Sequence, residues 1–278
     1  MKKLNLITAL LLIAGIVSLT SSCKKEDQQV IDDTSAAADD AFAEGIYTDA
    51  TNIADEAYDF GAGGLKTGDD AGQFLSNCAT VTLDTTAVPR ELTIDFGDTN
   101  CLCRDGRYRR GKIIVTFTGR YRHPGTVITY GFDEYYVNGN NVDGTKIISN
   151  MGFNEDNNMY YTIEVAGLIH LADDGGTISW NASKIREWVE GIHTIFNRWD
   201  DVYLISGEAN GIRPDGNTWE SQIVNPLRVQ ISCKWIVSGT MEIQRGELPL
   251  RILDYGTGEC DNIATVLVNG VTYTIFLR

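Results

Sequence analysis

Basic residues, histidine and proline are the scarce components of this sequence. Only 23 Lys and Arg stand against 38 Asp and Glu, giving the 278-residue chain a formal net charge of −15. That deficit argues against nucleic-acid binding, which is driven by neutralising phosphates. Histidine occurs three times, at His123, His170 and His193, and none of these shows metal-ligand spacing. No metal and no cofactor is therefore expected. Nucleophilic catalysis lacks its signatures as well, with no Gly-x-Ser-x-Gly and no placed Cys/His pair. Five prolines beside 28 glycines favour many tight turns over disorder.

What is present begins at the N-terminus. MKKLNLITALLLIAGIVSLTSSC places two lysines before an apolar run from Leu4 to Leu19, then Thr20, Ser21, Ser22 and Cys23. The run is too short for a stable span and is followed by small residues, as in a secretory signal. Leu19-Thr20-Ser21-Ser22-Cys23 looks like a lipobox, so residues 1–22 read as a lipoprotein signal peptide and Cys23 as the acylated residue. Several acyl chains on one cysteine would anchor the protein stably, whereas one chain binds marginally. Residues 23–34 then form a tether, in which Lys24-Lys25-Glu26-Asp27-Gln28-Gln29 resembles an export tag for the cell surface. Without residues 1–22, which hold Lys2 and Lys3 and no acid, 21 basic residues face 38 acidic ones, a net of −17.

Residues 35–60 form the one helical segment. Phe42, Ile46, Ile53 and Ala57 define an apolar stripe, while Asp39, Asp40, Glu44, Asp49 and Asp55 fall elsewhere on the wheel. The pattern predicts an amphipathic helix stopping at Gly61-Ala62-Gly63-Gly64 and packing its stripe on the main domain. Beyond it, within 70–278, the period changes to two. Ile113, Val115, Phe117 and Tyr121 alternate with polar or outward residues, and Asn269-Gly270 joins two strand-like runs, with Val271, Tyr273, Ile275 and Leu277 sharing an inward face. Glycines at 139, 167, 207 and 239 recur too unevenly for a solenoid and suit a meander of long antiparallel strands. Asp143-Gly144, Asp174-Gly175 and Asp215-Gly216 are expected at or near turns. Residues 181–191, NASKIREWVEG, suit either a short helix or a strand, and strand is preferred.

A duplication organises the cysteines. Both ELTIDFGDTNC and PLRILDYGTGEC place Leu-x-Ile, an Asp and an aromatic-Gly before a cysteine four residues beyond that glycine, with another cysteine upstream. Asp95-Phe96-Gly97 thus has a twin in Asp254-Tyr255-Gly256, and no kinase loop accompanies either. In an exported chain the repeat predicts disulfides Cys78–Cys101 and Cys233–Cys260, with Cys103 left over or competing for Cys78.

Three further constellations are candidates for function. Arg107, Arg109, Arg110, Lys112, Arg120 and Arg122 crowd one segment, with Lys112, Arg120 and Arg122 on one strand face; they suit either an anionic-partner patch or compensation of internal acids. Trp180, Trp188 and Trp219 suit an aromatic platform for sugars or cross-strand packing. Asp133 with Glu134, Asp173 with Asp174, and Asp200 with Asp201 are acid pairs of the kind glycosidases use, in a chain rich enough in acids to place them by chance.

The lipobox-like start, CLCRDGRYRRGK and LDYGTGECDN together resemble a group of predicted lipoproteins from Bacteroidetes, and the resemblance brings no activity or assigned residues. The expected fold is all-β, a long antiparallel meander forming a curled sheet or sandwich with the N-terminal helix packed on it. The expected function is a non-catalytic outer-membrane lipoprotein that binds a glycan, a lipid or an outer-membrane protein. A carbohydrate-active enzyme using Asp/Glu carboxylates is the alternative.

Overall fold

The computed structural model describes residues 33–63, 75, 78–194 and 197–277. Cys23, the expected signal peptide and nearly all of the expected tether lie outside them. The described residues form one α-helix, α1 (Ser35–Gly63), a short 3-10 turn (Arg198–Asp200) and one antiparallel sheet that is curled and unclosed. The strands are β1 (Thr80–Asp84), β2 (Arg90–Asp95), β3 (Cys101–Leu102), β4 (Tyr108–Phe117), β5 (Val127–Val137), β6 (Asn140–Phe153) and β7 (Met159–His170). They continue with β8 (Thr177–Glu190), β9 (Val202–Ile212), β10 (Thr218–Gln230), β11 (Ile236–Gln244), β12 (Arg251–Thr257), β13 (Ile263–Val268) and β14 (Val271–Phe276). Every strand but β3 pairs with its sequence neighbours, so the sheet is a meander with β1 and β14 at its two edges; β3 is a short addition to β4.

The two-residue period produces this sheet directly. Leu92, Ile94, Ile113, Val115, Phe117, Ile163, Val165 and Ile169 all point to one face and are buried there. Residues 181–191 are strand for the same reason: Ala182, Lys184, Arg186 and Trp188 point inward in alternation, within β8. Where the alternation shifts, the strands bend. Gly111 has φ +80°, and a side chain there would run into the Glu134 carbonyl, so glycine lets β5 bulge against β4. Pro226 lies where pairing of β10 with β9 is interrupted between Gln222 and Leu227, and its missing N–H breaks no ladder there.

The sheet curls around α1, which packs against β1, β2, β4, β8 and β11, strands spread along nearly the whole sheet. Phe42, Ile46, Ile53 and Ala57 are buried as the stripe predicts. So are Ala36, Ala37, Ala43, Ala50 and Ala54: the helix packs on the sheet as expected, and its burial extends beyond the stripe. It also runs through Gly61 to Gly63. Tyr47 fixes its height. Its hydroxyl donates to the Asp143 carbonyl at 2.8 Å, and its ring sits where a side chain at Gly167 would stand.

Two smaller expectations also change. Asp143-Gly144 lies inside β6, and the turn is Asn138-Gly139; Asp174-Gly175 and Asp215-Gly216 are in turns as expected. In the C-terminal hairpin, Tyr273, Ile275 and Leu277 are half-buried, while Val271 is 47% exposed because no strand follows β14 among the described residues.

Candidate functional site

The acids of α1 determine what the interior can do. Asp39, Asp40, Glu44, Asp49, Asp55 and Glu56 are all buried. An unpaired carboxylate would not survive there ionised, so each must find a cation or a donor. Asp49 meets Arg109 Nη2 at 2.7 Å and Arg107 Nη1 at 3.0 Å, while Asp105 holds Arg109 from the other side at 2.7 Å. Glu44 is in direct contact with Lys184 Nζ on β8. Asp55 lies 3.7 Å from both Arg122 and Arg186 and accepts from the Tyr121 hydroxyl at 2.7 Å. Burial alone would raise the Asp55 carboxyl, but Arg122, Arg186 and Arg198 outweigh it and hold the group below the ordinary aspartate value. Arg213 reaches Asp39 at 2.9 Å.

These contacts reassign the basic cluster. Arg107 and Arg109 are buried counter-ions of the helix and offer nothing to an external anion. Arg120 and Arg122 do not continue β4, which ends at Phe117; they belong to the following turn, where Arg122 turns in toward Asp55 and Asp59 and Arg120 stays exposed. Arg110 stacks on Tyr136 with its guanidinium 3.5 Å from the ring centroid, and Lys112 stands 3.9 Å from both Asp95 and Asp133. No continuous cationic face remains from the six.

The tryptophan platform is likewise internal. Trp180 and Trp219 are each 1% exposed and Trp188 is 6% exposed. Asp40 Oδ1 accepts from both Trp180 Nε1 (2.9 Å) and Trp219 Nε1 (3.0 Å), and from the Ser221 hydroxyl at 3.1 Å. One helix carboxylate thereby ties β8 to β10, and Tyr47 stacks on Trp180 at 5.5 Å. The sugar-stacking role is withdrawn because all three rings are buried: Trp180 lies under Tyr47, Trp188 beside Tyr203 and Trp219 over Gly211.

The duplicated motif is structural. Cys78 bonds to Cys101 and Cys233 to Cys260, and Cys103 is a free buried thiol. Asp95 Oδ1 accepts from Gly97 N and Asp254 Oδ1 from Gly256 N, each at 2.8 Å, so both aspartates pin the same turn. The copies differ by one residue before it: Leu250 and Ile252 face outward, and the inward positions matching Leu92 and Ile94 are Arg251 and Leu253. Segments beside the two disulfides also meet, where Lys234 Nζ donates to the Asp105 carbonyl at 2.7 Å and Arg107 lies 5.4 Å from the Trp235 ring centroid.

The remaining candidates lie in turns and on the outer surface. The acid pairs do not face one another across a cleft: Asp173 and Asp174 lie in a turn, Asp133 lies beside Lys112, and Asp200 accepts from Thr194 while Asp201 is buried. Burial pushes Asp201 up to about 6, against the pull of Arg122. A groove of about 400 Å³ runs over the outer face of β9, β10 and β11. Strand register aligns two rows across it, Asn210–Glu220–Gln244 and Glu208–Gln222–Glu242, with Leu250 at one end. Gln222 Nε2 donates to the Gly207 carbonyl at 3.2 Å, and Gln244 Nε2 to the Gly246 and Leu248 carbonyls at 2.6 and 2.7 Å. The Gln222 and Gln244 donors are thus engaged, Asn210 accepts from Asn181 Nδ2 at 3.4 Å through its Oδ1, and Glu208, Glu220 and Glu242 make the groove acidic. None of these six residues stood out in the sequence. Only outward positions recurring in three consecutive strands, at E-A-N, E-S-Q and E-I-Q, could have marked them.

Compared with known proteins, the chain matches no family model, no curated protein and no solved structure.

Proposed function

We propose that this protein is a non-catalytic outer-membrane lipoprotein, acylated on Cys23, whose outer groove binds a hydroxyl- or amine-rich glycan. The anchoring half rests on the apolar run and Leu19-Thr20-Ser21-Ser22-Cys23, and Lys24 to Gln29 supports display at the cell surface. The binding half rests on one observation, the acidic groove lined by Glu208, Glu220 and Glu242. Such a lining suits sugar hydroxyls and ammonium groups, and it repels phosphorylated or carboxylated glycans in a chain already of net charge −15.

The test is a glycan-array screen of the chain starting after Cys23. Retention of neutral or amino glycans, abolished by Glu220→Arg, supports the reading. Retention confined to anionic glycans, or binding indifferent to Glu220→Arg, removes the groove from it. Recovery of a bound oligosaccharide in shortened form would instead place the protein among carbohydrate-active enzymes. Anchorage is tested separately: Cys23→Ala should abolish incorporation of radiolabelled fatty acid.

A further inference from the structure

We infer that the free edge of the sheet, β14, pairs antiparallel with β14 of a second copy of this chain about a two-fold axis through Thr274. The inference starts from backbone polarity. Leu277 N donates to Asn262 O, and in an antiparallel ladder residues two apart point their polar groups the same way. Val271, Tyr273 and Ile275 therefore bond to β13, and the N–H and C=O groups of Thr272, Thr274 and Phe276 point away from the sheet. Among the described residues no strand meets them.

Native edges are normally blunted by charge, proline or a bulge. The other edge follows that rule. In β1, Asp84 ends the strand and accepts from Thr86 N and Ala87 N, and Cys78 just before it is held by a disulfide. Val271–Phe276 has none of these devices: the sequence is VTYTIF, without charge or proline, and it pairs with β13 in unbroken register.

The strand is also unfinished on its core side. Tyr273, Ile275 and Leu277 are only half-buried and Val271 is 47% exposed, although they continue the inward apolar face of β13, whose Ala264, Val266 and Val268 are buried.

A second copy answers both deficits. Centring the pairing on Thr274 sets Thr272 opposite Phe276 of the partner copy and Thr274 opposite Thr274, with about six ladder hydrogen bonds from three pairs. Between them Tyr273 faces Ile275 and Val271 faces Leu277, an aromatic–branched pair and an aliphatic pair on the core side. Shifting the axis by one residue toward Tyr273 would run the ends of the strand into the Asn269-Gly270 turn and leave Phe276 and Leu277 without strand partners. The strand itself, VTYTIF, carries no charge, so pairing two copies along it buries none. The interface is isologous and closes on itself.

The test uses the full-length chain expressed in cells. Facing Thr274 residues would bring their Cα atoms to about 5.5 Å, within disulfide reach. Thr274→Cys is expected to give a dimer on non-reducing gels. Thr272→Cys alone should give none, and Thr272→Cys with Phe276→Cys should restore it. Thr274→Pro removes an N–H that points away from β13, so it should abolish the dimer seen by native mass spectrometry and shift the melting temperature by no more than a few degrees. Equal cross-linking from Thr272→Cys and Thr274→Cys, monomer from all variants, or a cross-linked species of any mass other than twice the chain would overturn the inference.

Discussion

Arg120 and Arg122 sit two residues apart with the same charge, and their surroundings give them opposite weights. Arg120 is exposed, whereas Arg122 bridges Asp55 and Asp59 on the helix at 3.7 and 3.3 Å. Arg120→Glu should therefore leave the melting temperature nearly unchanged, as exposed charges contribute little. Arg122→Glu should cost about 3 kcal/mol or more in urea unfolding, because it strands a buried carboxylate beside another. Lys146 tests a buried cation in the other direction. Its Nζ donates to the Tyr47 carbonyl and Thr51 hydroxyl, each at 2.7 Å, and burial, aided by Arg186, brings it down to about 7 despite Asp55. The unfolded chain thus binds more protons than the folded one between about pH 7 and the ordinary lysine value of 10.5, so this residue makes stability rise with pH across that window. In Lys146→Met, the gain in melting temperature between pH 7 and pH 10 should be smaller than in the wild type.

At the scale of elements, α1 and the sheet depend on close approach at one strand position. Tyr47 occupies the space above Gly167 on β7. Gly167→Val should push the helix off its seat and cost about 1 to 3 kcal/mol, read by chemical denaturation with tryptophan fluorescence, because Tyr47 stacks on Trp180. Asp40 joins three elements at once. Asp40→Ala would leave two buried indole N–H groups without their acceptor, and at roughly 1 to 3 kcal/mol per stranded donor it should be the more damaging change. The turns are held differently. Each disulfide closes a loop spanning 23 or 27 residues, worth about 3 to 4 kcal/mol in the chain-entropy model. Non-reducing peptide mapping should recover Cys78–Cys101 and Cys233–Cys260 fragments and a free Cys103.

For the whole molecule, the enclosed helix makes folding an all-or-none matter of charge. Asp55 and Asp105 are both held below the ordinary aspartate value of 3.8. For Asp105, hydrogen bonding and charge from Arg109 overcome the opposing effect of burial. A depressed carboxylate contributes stability that is present above its unfolded value and lost as pH falls through the folded one. As pH falls below 3.8, the stabilisation supplied by Asp55 and Asp105 is therefore progressively lost. Circular dichroism should show helix and sheet disappearing in one acid transition. A sheet that persists after the helix signal is gone would contradict this account.

The sequence by itself determined the strands, most of the turns, the existence of the helix and the two disulfides. Those are local matters: alternation of side chains, glycine at strained angles, and a repeated Asp-aromatic-Gly before cysteine are all encoded within a dozen residues. It placed Asp39, Asp40, Glu44, Asp49 and Asp55 off the apolar stripe, and could leave Arg107, Arg109 and Arg122 open between a docking patch and internal compensation. Only the tertiary structure decided that these two sets face each other indoors. A carboxylate is buried or exposed according to the charge brought to it, and Asp49 and Arg109 meet at 2.7 Å across sixty residues of chain. The outer groove became visible for the same reason, since its two rows exist only through the register of three strands.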